Sequence, residues 1–385
     1  MSLGGDSLSY VQASLGLEDI LGTLPGGWAR MTVAELGSLG DRRDTAVRAA
    51  AAPVHGRVNR ASRVRRRRTI EMSVFLRAVA TVLIVVSHVG LVFIPGGAHV
   101  LFAVAGFNFA RFQLTPASRT ARLRSQLRSI LRVLVPSLVW IAAALYLTRD
   151  YELHNLFLFN SIVGPPPFTT EWHFWFVEVL IYILAGMAAL LALPAVDRAE
   201  RRWRFGVPMA VLAVGLAIRF GVLDLGVVQT RPALWLFALG WAASQATRGW
   251  QRGGILAVAA VALPGFFGDL GREVLIFVGI ALLTLVRSIS IPAWTAPLVG
   301  ALASASLYVY LVHWQVYPQI YGWSQELAVL ASLAAGLAAW KAAGWAGTLL
   351  GRVLRSLAGR WPVRAREGAA APPTSSPAPY RLATR

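Results

Sequence analysis

The chain has 385 residues, of which 56% are hydrophobic and only 14% are charged, a balance that excludes an ordinary soluble domain and indicates a polytopic membrane protein. Its formal net charge of +19 comes almost entirely from arginine, because Lys341 is the one lysine. The arginines flank apolar segments, so we expect them to set membrane orientation and expect no nucleic-acid partner. The chain has no cysteine, which excludes disulfides, thiolate metal sites and a cysteine nucleophile, and we expect no metal.

The first predicted element is a short helical segment at the amino terminus. The motif LGGDSL at residues 3–8 places Ser7 at the start of a helix, and Thr32 and Glu35 have the spacing of a capping box on a later helix. The segment resembles the second half of phosphopantetheine-binding carrier domains over residues 1–38. The resemblance implies a phosphopantetheine arm on Ser7 as cofactor, whereas a plain helix cap is the alternative.

The helix that precedes this motif in carrier domains is absent from the sequence. Without it the core of a carrier is open, so such a module is expected to be unstable. Two explanations stay open: the true start lies further upstream, behind an acyl-activating (adenylating) enzyme as partner, or the segment is a remnant. Residues 39–70, rich in alanine and arginine, are the predicted linker to the membrane domain.

Ten apolar segments follow, and they predict an all-α polytopic membrane protein with about ten transmembrane helices behind a small helical carrier fragment. The predicted membrane domain covers residues 71–350, and residues 351–385 are a predicted disordered cytosolic tail. The segments are 72–94, 99–113, 130–147, 172–193, 207–223, 232–247, 253–268, 272–290, 298–318 and 326–350.

The distribution of arginine between the connections predicts the orientation in the lipid bilayer. One side has arginine-rich connections, whereas the loops of the other side contain only Arg149, Arg231 and Arg272. Because positive residues stay inside, this predicts a multi-pass protein of the cytoplasmic membrane with both termini in the cytosol. The connection 148–171, with several prolines, is then outside. The arginine-rich connections are 57–68, 111–132, 198–204, 248–252 and the end of the eighth segment at Arg287.

The first apolar segment contains two ionisable residues, Arg77 and His88, which are 11 positions apart. On a helix this spacing is three turns plus about 20°, so both side chains are expected on one face, about 16 Å apart along the axis. Ionisable groups at membrane depth are costly and usually mark a functional site. We therefore interpret Arg77, near the cytosolic end, and His88, deeper in the segment, as functional residues.

The order and spacing of several short motifs resemble the acyltransferase 3 family of bacterial membrane O-acyltransferases over about residues 70–350. The resemblance implies transfer of an acyl group from a thioester donor, with acyl-CoA as co-substrate, to a hydroxyl-bearing acceptor on a glycan, lipid or metabolite. It implies a bacterial cytoplasmic membrane as location. The motifs are Arg77-x10-His88, Gly96-Gly97, Leu101-Phe102-Ala-Val-Ala105-Gly106-Phe107, His173-Phe-Trp-Phe176 with Tyr182, and Tyr310-Leu-Val-His313.

Two positions depart from the family pattern. Ala105 stands where the family has a serine before Gly-Phe. The family's RxxR pair before the third span has Ser129 at its first position and Arg132 at its second, with Arg128 one residue away. Arg128 and Arg132 are thus the further candidates for binding the donor.

The same roles follow from chemistry. Transfer to a hydroxyl needs a base for the alcohol proton, and imidazole suits that task near neutral pH, so His88 is the predicted base. Arginine matches phosphate geometry, so Arg77 is predicted to position the donor. The alternatives are a structural buried histidine and an arginine whose side chain snorkels to the membrane interface.

Further ionisable residues lie in the other segments. Glu178 needs a partner inside the fourth segment, and we interpret it as a third catalytic candidate that orients His88 or, equally, as half of a structural ion pair with an arginine. His313 and Tyr310 are interpreted as packing or outer-interface residues. His99 and His173, near segment ends, are weak candidates.

Three other functions stay open. The same enzyme could use free acyl-CoA beside a vestigial carrier, or the chain could be a transporter or exporter of an acylated product. A transporter is expected to show broken helices in matching halves, and no internal repeat is visible in the sequence. A membrane-anchored carrier protein is the third alternative, but it leaves the pair Arg77 and His88 unexplained.

Overall fold

The computed structural model describes Leu17, Leu21, Met31 and residues 34–39, 67–165, 169–227 and 230–358. The predicted phosphopantetheine site at Ser7, most of the carrier-like segment and linker, and the chain beyond residue 358 lie outside the described residues. The predictions for those parts stay predictions.

Helices dominate the described residues, with two short strands, β1 (Arg67–Glu71) and β2 (Ser288–Pro292), between them. One π-helix, Phe109–Gln113, and one 3-10 helix, Thr170–Phe174, continue into or out of longer helices. The α-helices are α1 (Met72–Val89), α2 (Gly97–Asn108), α3 (Arg119–Leu147), α4 (Leu153–Leu156), α5 (Asn160–Val163), α6 (Trp175–Ala192), α7 (Pro194–Arg202), α8 (Gly206–Arg219), α9 (Thr230–Gln245), α10 (Gly249–Ala262), α11 (Leu270–Leu285), α12 (Ala296–Ile320) and α13 (Gln325–Ala358).

Each of the ten predicted apolar segments overlaps one α-helix, and the all-α class of the prediction is confirmed. Five helical stretches among the described residues are long and apolar enough to cross a membrane, which agrees with a multi-pass membrane protein. The remaining apolar helices are shorter, so ten crossings stay a prediction. The five long stretches are Met72–Val89, Arg119–Leu147, Thr170–Ala192, Ala296–Ile320 and Gln325–Val353.

The strands β1 and β2 form an antiparallel pair that the sequence did not predict, since residues 288–290 were assigned to the eighth apolar segment. The register places Arg67 opposite Pro292 and Glu71 opposite Ser288. The backbone N–H of Met72 continues this pairing by donating to the carbonyl of Arg287 at 3.0 Å. The pair therefore fixes the start of α1 beside the segment that leads into α12.

Glycines let α2 make close contacts with two neighbouring helices. A side chain at Gly106 of α2 would place its Cβ 1.8 Å from the backbone oxygen of Phe237 in α9. A Cβ at Gly97 would lie 2.7 Å from the oxygen of Ala80 in α1. Any larger residue would separate these helices, so the glycines let α2 pack tightly between α1 and α9. Helix α1 in turn packs against α12.

Helix α3 exposes an apolar stripe whose members are four residues apart along the chain. Leu127, Leu131, Val135 and Val139 are all exposed on it. In water a continuous exposed stripe of this kind would be unfavourable, whereas lipid tails are a matching environment. This face of α3 is therefore the expected contact with the bilayer.

The chain divides into two compact units, Met1–Lys341 and Ala342–Arg385. All strands and the helices α1 to α12 belong to the first unit. In the second unit the described residues are the last turns of α13, whose Trp345 and Leu349 are exposed. Because α13 continues to Ala358, the first residues of the predicted disordered tail are helical.

Candidate active site

The candidate site lies at one end of the first unit, where the end of α1 meets the later half of α12, the start of α6 and the connection 148–171. Helix α1 ends one residue after His88, because Gly90 takes the left-handed conformation with φ of 79° and closes the helix through its N–H. The predicted span ran to residue 94, so His88 lies nearer the helix end than expected. His88 is exposed there.

His88 forms a hydrogen bond with His313 of α12, between Nδ1 of His88 and Nε2 of His313, at 2.9 Å. His313 is completely buried, and its Nδ1 lies 2.7 Å from the carbonyl oxygen of Tyr310 and 3.1 Å from that of Val309. The sequence predicted a packing or outer-interface role for His313 and gave no indication of contact with His88, because the two residues are 225 positions apart.

The hydrogen-bond directions assign the protons on the two rings. Carbonyl oxygens only accept, so Nδ1 of His313 must donate, and its Nε2 keeps the lone pair in the neutral ring. Nδ1 of His88 then donates to Nε2 of His313. The lone pair of neutral His88 is consequently on Nε2, where it can accept a proton.

A second chain of hydrogen bonds ends at His173, in the 3-10 helix before α6. Trp140 Nε1 donates to Oε1 of Gln315 at 2.9 Å, and Nε2 of Gln315 donates to the Tyr151 hydroxyl at 2.8 Å. The hydroxyl lies 2.9 Å from Nδ1 of His173. The chain joins α3, α12 and the connection 148–171 to the start of α6.

Trp314 connects the two histidine systems. Its ring stacks on His173 with 3.7 Å between the centroids, and it lies 4.3 Å from the ring of His88. The hydroxyl of Tyr310 donates to the backbone carbonyl of His173 at 2.7 Å. The motif Tyr310-Leu-Val-His313 therefore contributes to both systems, with Tyr310 fixing the backbone of His173 and His313 fixing the ring of His88.

His88, His173 and His313 form a histidine cluster around Trp314. A cavity of about 260 Å³ adjoins this cluster at His173. Its wall combines aromatic rings with hydroxyl, amide and carboxylate groups, the mixture of apolar and polar groups that is typical of small-molecule sites. The lining residues are Thr148, Asp150, Tyr151, Thr170, His173, Trp314, Gln315, Tyr317, Pro318 and Gln319.

Arg77 lies on the same unbroken helix as His88, as the spacing predicted, but near its other end. It is partly buried, and its carbonyl accepts a hydrogen bond from the Thr81 hydroxyl at 2.8 Å. The separation of 11 helical residues is about 16 Å along the axis. A ligand that touches both residues must therefore extend along α1.

Glu178 has partners other than those expected. It is buried in α6, and its Oε1 accepts from the backbone N–H of Ser161 at 2.7 Å and from the Tyr182 hydroxyl at 2.9 Å. The carbonyl of Leu158 also lies within hydrogen-bond distance of the Tyr182 hydroxyl, so the two acceptors share its one proton. These hydrogen bonds go to neither His88 nor an arginine. Glu178 thus ties the connection 148–171 to α6, which positions Tyr151 and the cavity indirectly.

Arg128 and Arg132 lie four residues apart on one face in the first half of α3, and both are exposed. The chain enters the cavity wall directly after Leu147, at the other end of α3, so both arginines lie far from the cavity along this helix. The structure does not bring these two arginines into the histidine cluster. Within the described ranges, no three His, Asp or Glu side chains are grouped to bind a metal ion.

A buried ion cluster, which the sequence analysis did not predict, joins α3 to α7. Arg122 pairs with Asp197 at 2.9 Å and with Glu200 at 2.7 Å, and it donates to the carbonyl of Leu114. Arg201 pairs with Asp197 at 2.9 Å. The sequence indicated this cluster only through Asp197 and Glu200, two carboxylates in an otherwise arginine-rich connection.

A family model described as an acyltransferase domain, Acyl_transf_3, matches residues 75–350 of the chain. The match includes the histidine cluster, Arg77 and the cavity. No curated protein and no solved structure gives a significant match.

Proposed function

The chain belongs to this acyltransferase family, and on that premise we propose that it moves an acyl group from a thioester donor to a hydroxyl group of an acceptor. In the proposal His88 is the general base and Arg77 positions the donor. The protein resides in the bacterial cytoplasmic membrane with both termini in the cytosol.

One observation supports the proposal most directly: the hydrogen bond from His88 to His313 leaves a lone pair on Nε2 of His88, an exposed residue. In the proposed reaction this atom takes the proton from the acceptor hydroxyl while the hydroxyl oxygen attacks the thioester carbonyl. The carbon–sulfur bond then breaks, and the proton moves from His88 to the leaving thiolate. His313 serves as a positioning residue, since it keeps the ring in this orientation.

The donor is proposed to enter from the end of α1 where Arg77 lies. A donor whose phosphates sit at Arg77 and whose thioester reaches His88 must span about 16 Å, which requires a long flexible arm. Acyl-CoA and a carrier-bound phosphopantetheine arm both have phosphate at one end and the thioester at the other. Arg128 and Arg132, exposed on α3, are proposed to attract the same phosphates.

The carrier-like segment supports the second form of donor. Leu36 is buried among Leu17, Leu21, Met31 and Phe112, and Phe112 belongs to the π-helix that follows α2. This contact places residues of the predicted carrier segment against the membrane domain. A phosphopantetheine arm on Ser7, loaded by an upstream adenylating enzyme, remains part of the proposal, with free acyl-CoA as the other donor.

The acceptor is proposed to occupy the cavity beside the histidine cluster. By the arginine bias, the connection 148–171 and this cavity face the outside. The proposal therefore has the donor and the acceptor approach the site from opposite sides of the membrane. A polar and aromatic wall suits a hydroxyl-rich acceptor.

The test is an assay of thiol release with the purified full chain in lipid vesicles. Acyl-CoAs from acetyl to decanoyl are offered with glucose or glycerol as trial acceptors, and free CoA is detected with a thiol reagent. Because the chain has no cysteine, the protein itself gives no background. We expect release above that of protein-free vesicles and its loss in His88→Ala. Release that stays at the vesicle background with every donor would contradict the proposal.

A further inference from the structure

The hydrogen-bond chain that ends at His173 gives this ring the tautomer opposite to that of His88, with the proton on Nε2 instead of Nδ1. Trp140 Nε1 can only donate, so the atom of Gln315 that receives it is the amide oxygen, and the amide nitrogen donates to Tyr151. The remaining proton of the Tyr151 hydroxyl has one acceptor among the described residues, Nδ1 of His173 at 2.9 Å. Nδ1 of neutral His173 therefore accepts, and its proton is on Nε2.

The N–H at Nε2 of His173 is available to a ligand. Within the described part of the chain no side chain or carbonyl accepts from it, and His173 lines the cavity beside Trp314. The rings of His173 and His88 both lie within 4.3 Å of the Trp314 ring, measured between centroids. The site thus holds two imidazoles of opposite polarity: His88 presents a proton acceptor, and His173 presents a proton donor.

We propose that His173 is a further catalytic residue, whose Nε2–H donates a hydrogen bond to the carbonyl oxygen of the thioester. This inference rests on the proposed function. When the acceptor oxygen attacks the carbonyl carbon, the electron pair of the C=O bond moves to the carbonyl oxygen, and the acceptor proton moves to Nε2 of His88. The resulting oxyanion accepts from Nε2–H of His173, and it reforms the C=O bond when the C–S bond breaks.

Two supports hold His173 for this task before the substrate arrives. The Tyr310 hydroxyl fixes its backbone at 2.7 Å, and the Trp314 ring stacks parallel to its imidazole with an interplanar angle of 10°. A donor that is already oriented costs no reorganisation when charge develops on the oxygen. Tyr151 is a positioning residue in this scheme, because its hydroxyl keeps the proton on Nε2 rather than on Nδ1.

The kinetic arm of the test compares two substitutions of His173 in the full chain in vesicles. Removing one donor to an oxyanion typically costs about 10²-fold in kcat, so His173→Ala should lose that factor, with the KM for acyl-CoA within about threefold of wild type. His173→Gln keeps an N–H donor and should recover about tenfold of the loss. His154→Gln, in the same connection but bonded to Glu171, is the matched control and should keep wild-type kcat.

The spectroscopic arm measures the tautomer directly and does not depend on turnover. The chain has six histidines, and ¹⁵N-labelled histidine in the full protein gives one pair of ring shifts for each. The signals missing in His173→Gln identify His173, and we expect the shifts of an Nε2–H tautomer, with Nδ1–H becoming populated in Tyr151→Phe. A predominant Nδ1–H tautomer in the wild type would overturn the inference.

The two arms also separate this inference from the proposed function. If the wild type is active, His88→Ala is inactive and His173→Ala keeps kcat within threefold of wild type, then the proposed function stands and the role of His173 is refuted. An inactive wild type with the Nε2–H tautomer refutes the acyl transfer and leaves the assigned proton position intact. Equal protein levels and equal thermal unfolding of the variants exclude misfolding as the cause.

Discussion

Nδ1 of His88 and Nε2 of His313 lie 2.9 Å apart, although 225 residues separate them in the chain. Because His313 is buried against two backbone carbonyls, it can only accept from His88. The contact fixes both the ring orientation and the position of the lone pair. A histidine on a neighbouring helix thus takes the orienting place that a carboxylate occupies in many hydrolases.

Replacement of His88 should remove catalysis and little else. We expect His88→Ala to lower kcat at least ~10²-fold, because a general base contributes about that much or more. Alanine is tolerated in a membrane helix, so the protein level in the membrane should stay at that of wild type. Thiol release from acyl-CoA measures the effect. Near-normal turnover in His88→Ala would remove this residue from the mechanism.

His313 should act through His88. His313→Leu removes the acceptor for Nδ1 and should lower kcat roughly 10-fold or more, with the KM for acyl-CoA little changed. His313→Gln offers an amide oxygen to the same N–H and should restore part of the rate. Measurement of kcat and KM for both variants decides between this role and simple packing. Equal losses in the leucine and glutamine variants would indicate that His313 only fills space.

The sequence predicted the helices better than it predicted contacts. Arg77 and His88 were singled out because ionisable residues stand out in an apolar segment, and the structure places both on one helix, as their spacing predicted. The partners of His88 and Glu178 were not found, since hydrophobic periodicity gives no order of packing among helices. Gln315 and Trp314 give no sequence indication at all, because their role exists only once α12 meets α3 and α6.

Arg77 should affect binding of the donor more than the chemical step. We expect Arg77→Ala to raise the KM for acyl-CoA roughly 10-fold with a smaller change in kcat, since the contact is made before the transition state. Arg77→Lys should also be impaired, because lysine lacks the planar fork that holds phosphate. The exposed Arg198→Ala on α7 is the matched control and should keep the wild-type KM. An unchanged KM in Arg77→Ala would favour an interfacial anchor.

Cysteine labelling can test the proposed orientation, because the chain has no cysteine of its own. The sequence suggested Arg122 as a cytosolic position, but Arg122 is buried among carboxylates, so Arg198 is the better site. We expect Arg198→Cys to react with a membrane-impermeant maleimide only in inverted vesicles, and the exposed Thr169→Cys only in intact cells. The reverse pattern would place the cavity in the cytosol.

The ion cluster between α3 and α7 should make folding sensitive to acid. Burial alone would raise the pKa of Asp197, but hydrogen bonds and charges from Arg201 and Arg122 outweigh it and hold this pKa below its usual 3.8. A carboxyl group whose pKa is lowered in the folded state stabilises the protein above its unfolded pKa, and this stabilisation is lost as the pH falls through the folded pKa. The unfolding temperature should therefore drop steeply below about pH 4.

Asp197→Asn isolates this contribution. The variant should unfold at a lower temperature near neutral pH, because Arg122 and Arg201 lose the carboxylate that they share, while Arg122 keeps its pair with Glu200. Its unfolding temperature should then change less than that of wild type on acidification, since the titrating group is gone. Asp224→Asn, which removes the charge of an exposed pair with Arg231 and keeps an oxygen that can accept from the N–H of Gly226, is the control and should follow the wild-type curve. Parallel acid curves for wild type and Asp197→Asn would show that the acid sensitivity originates in other carboxyl groups.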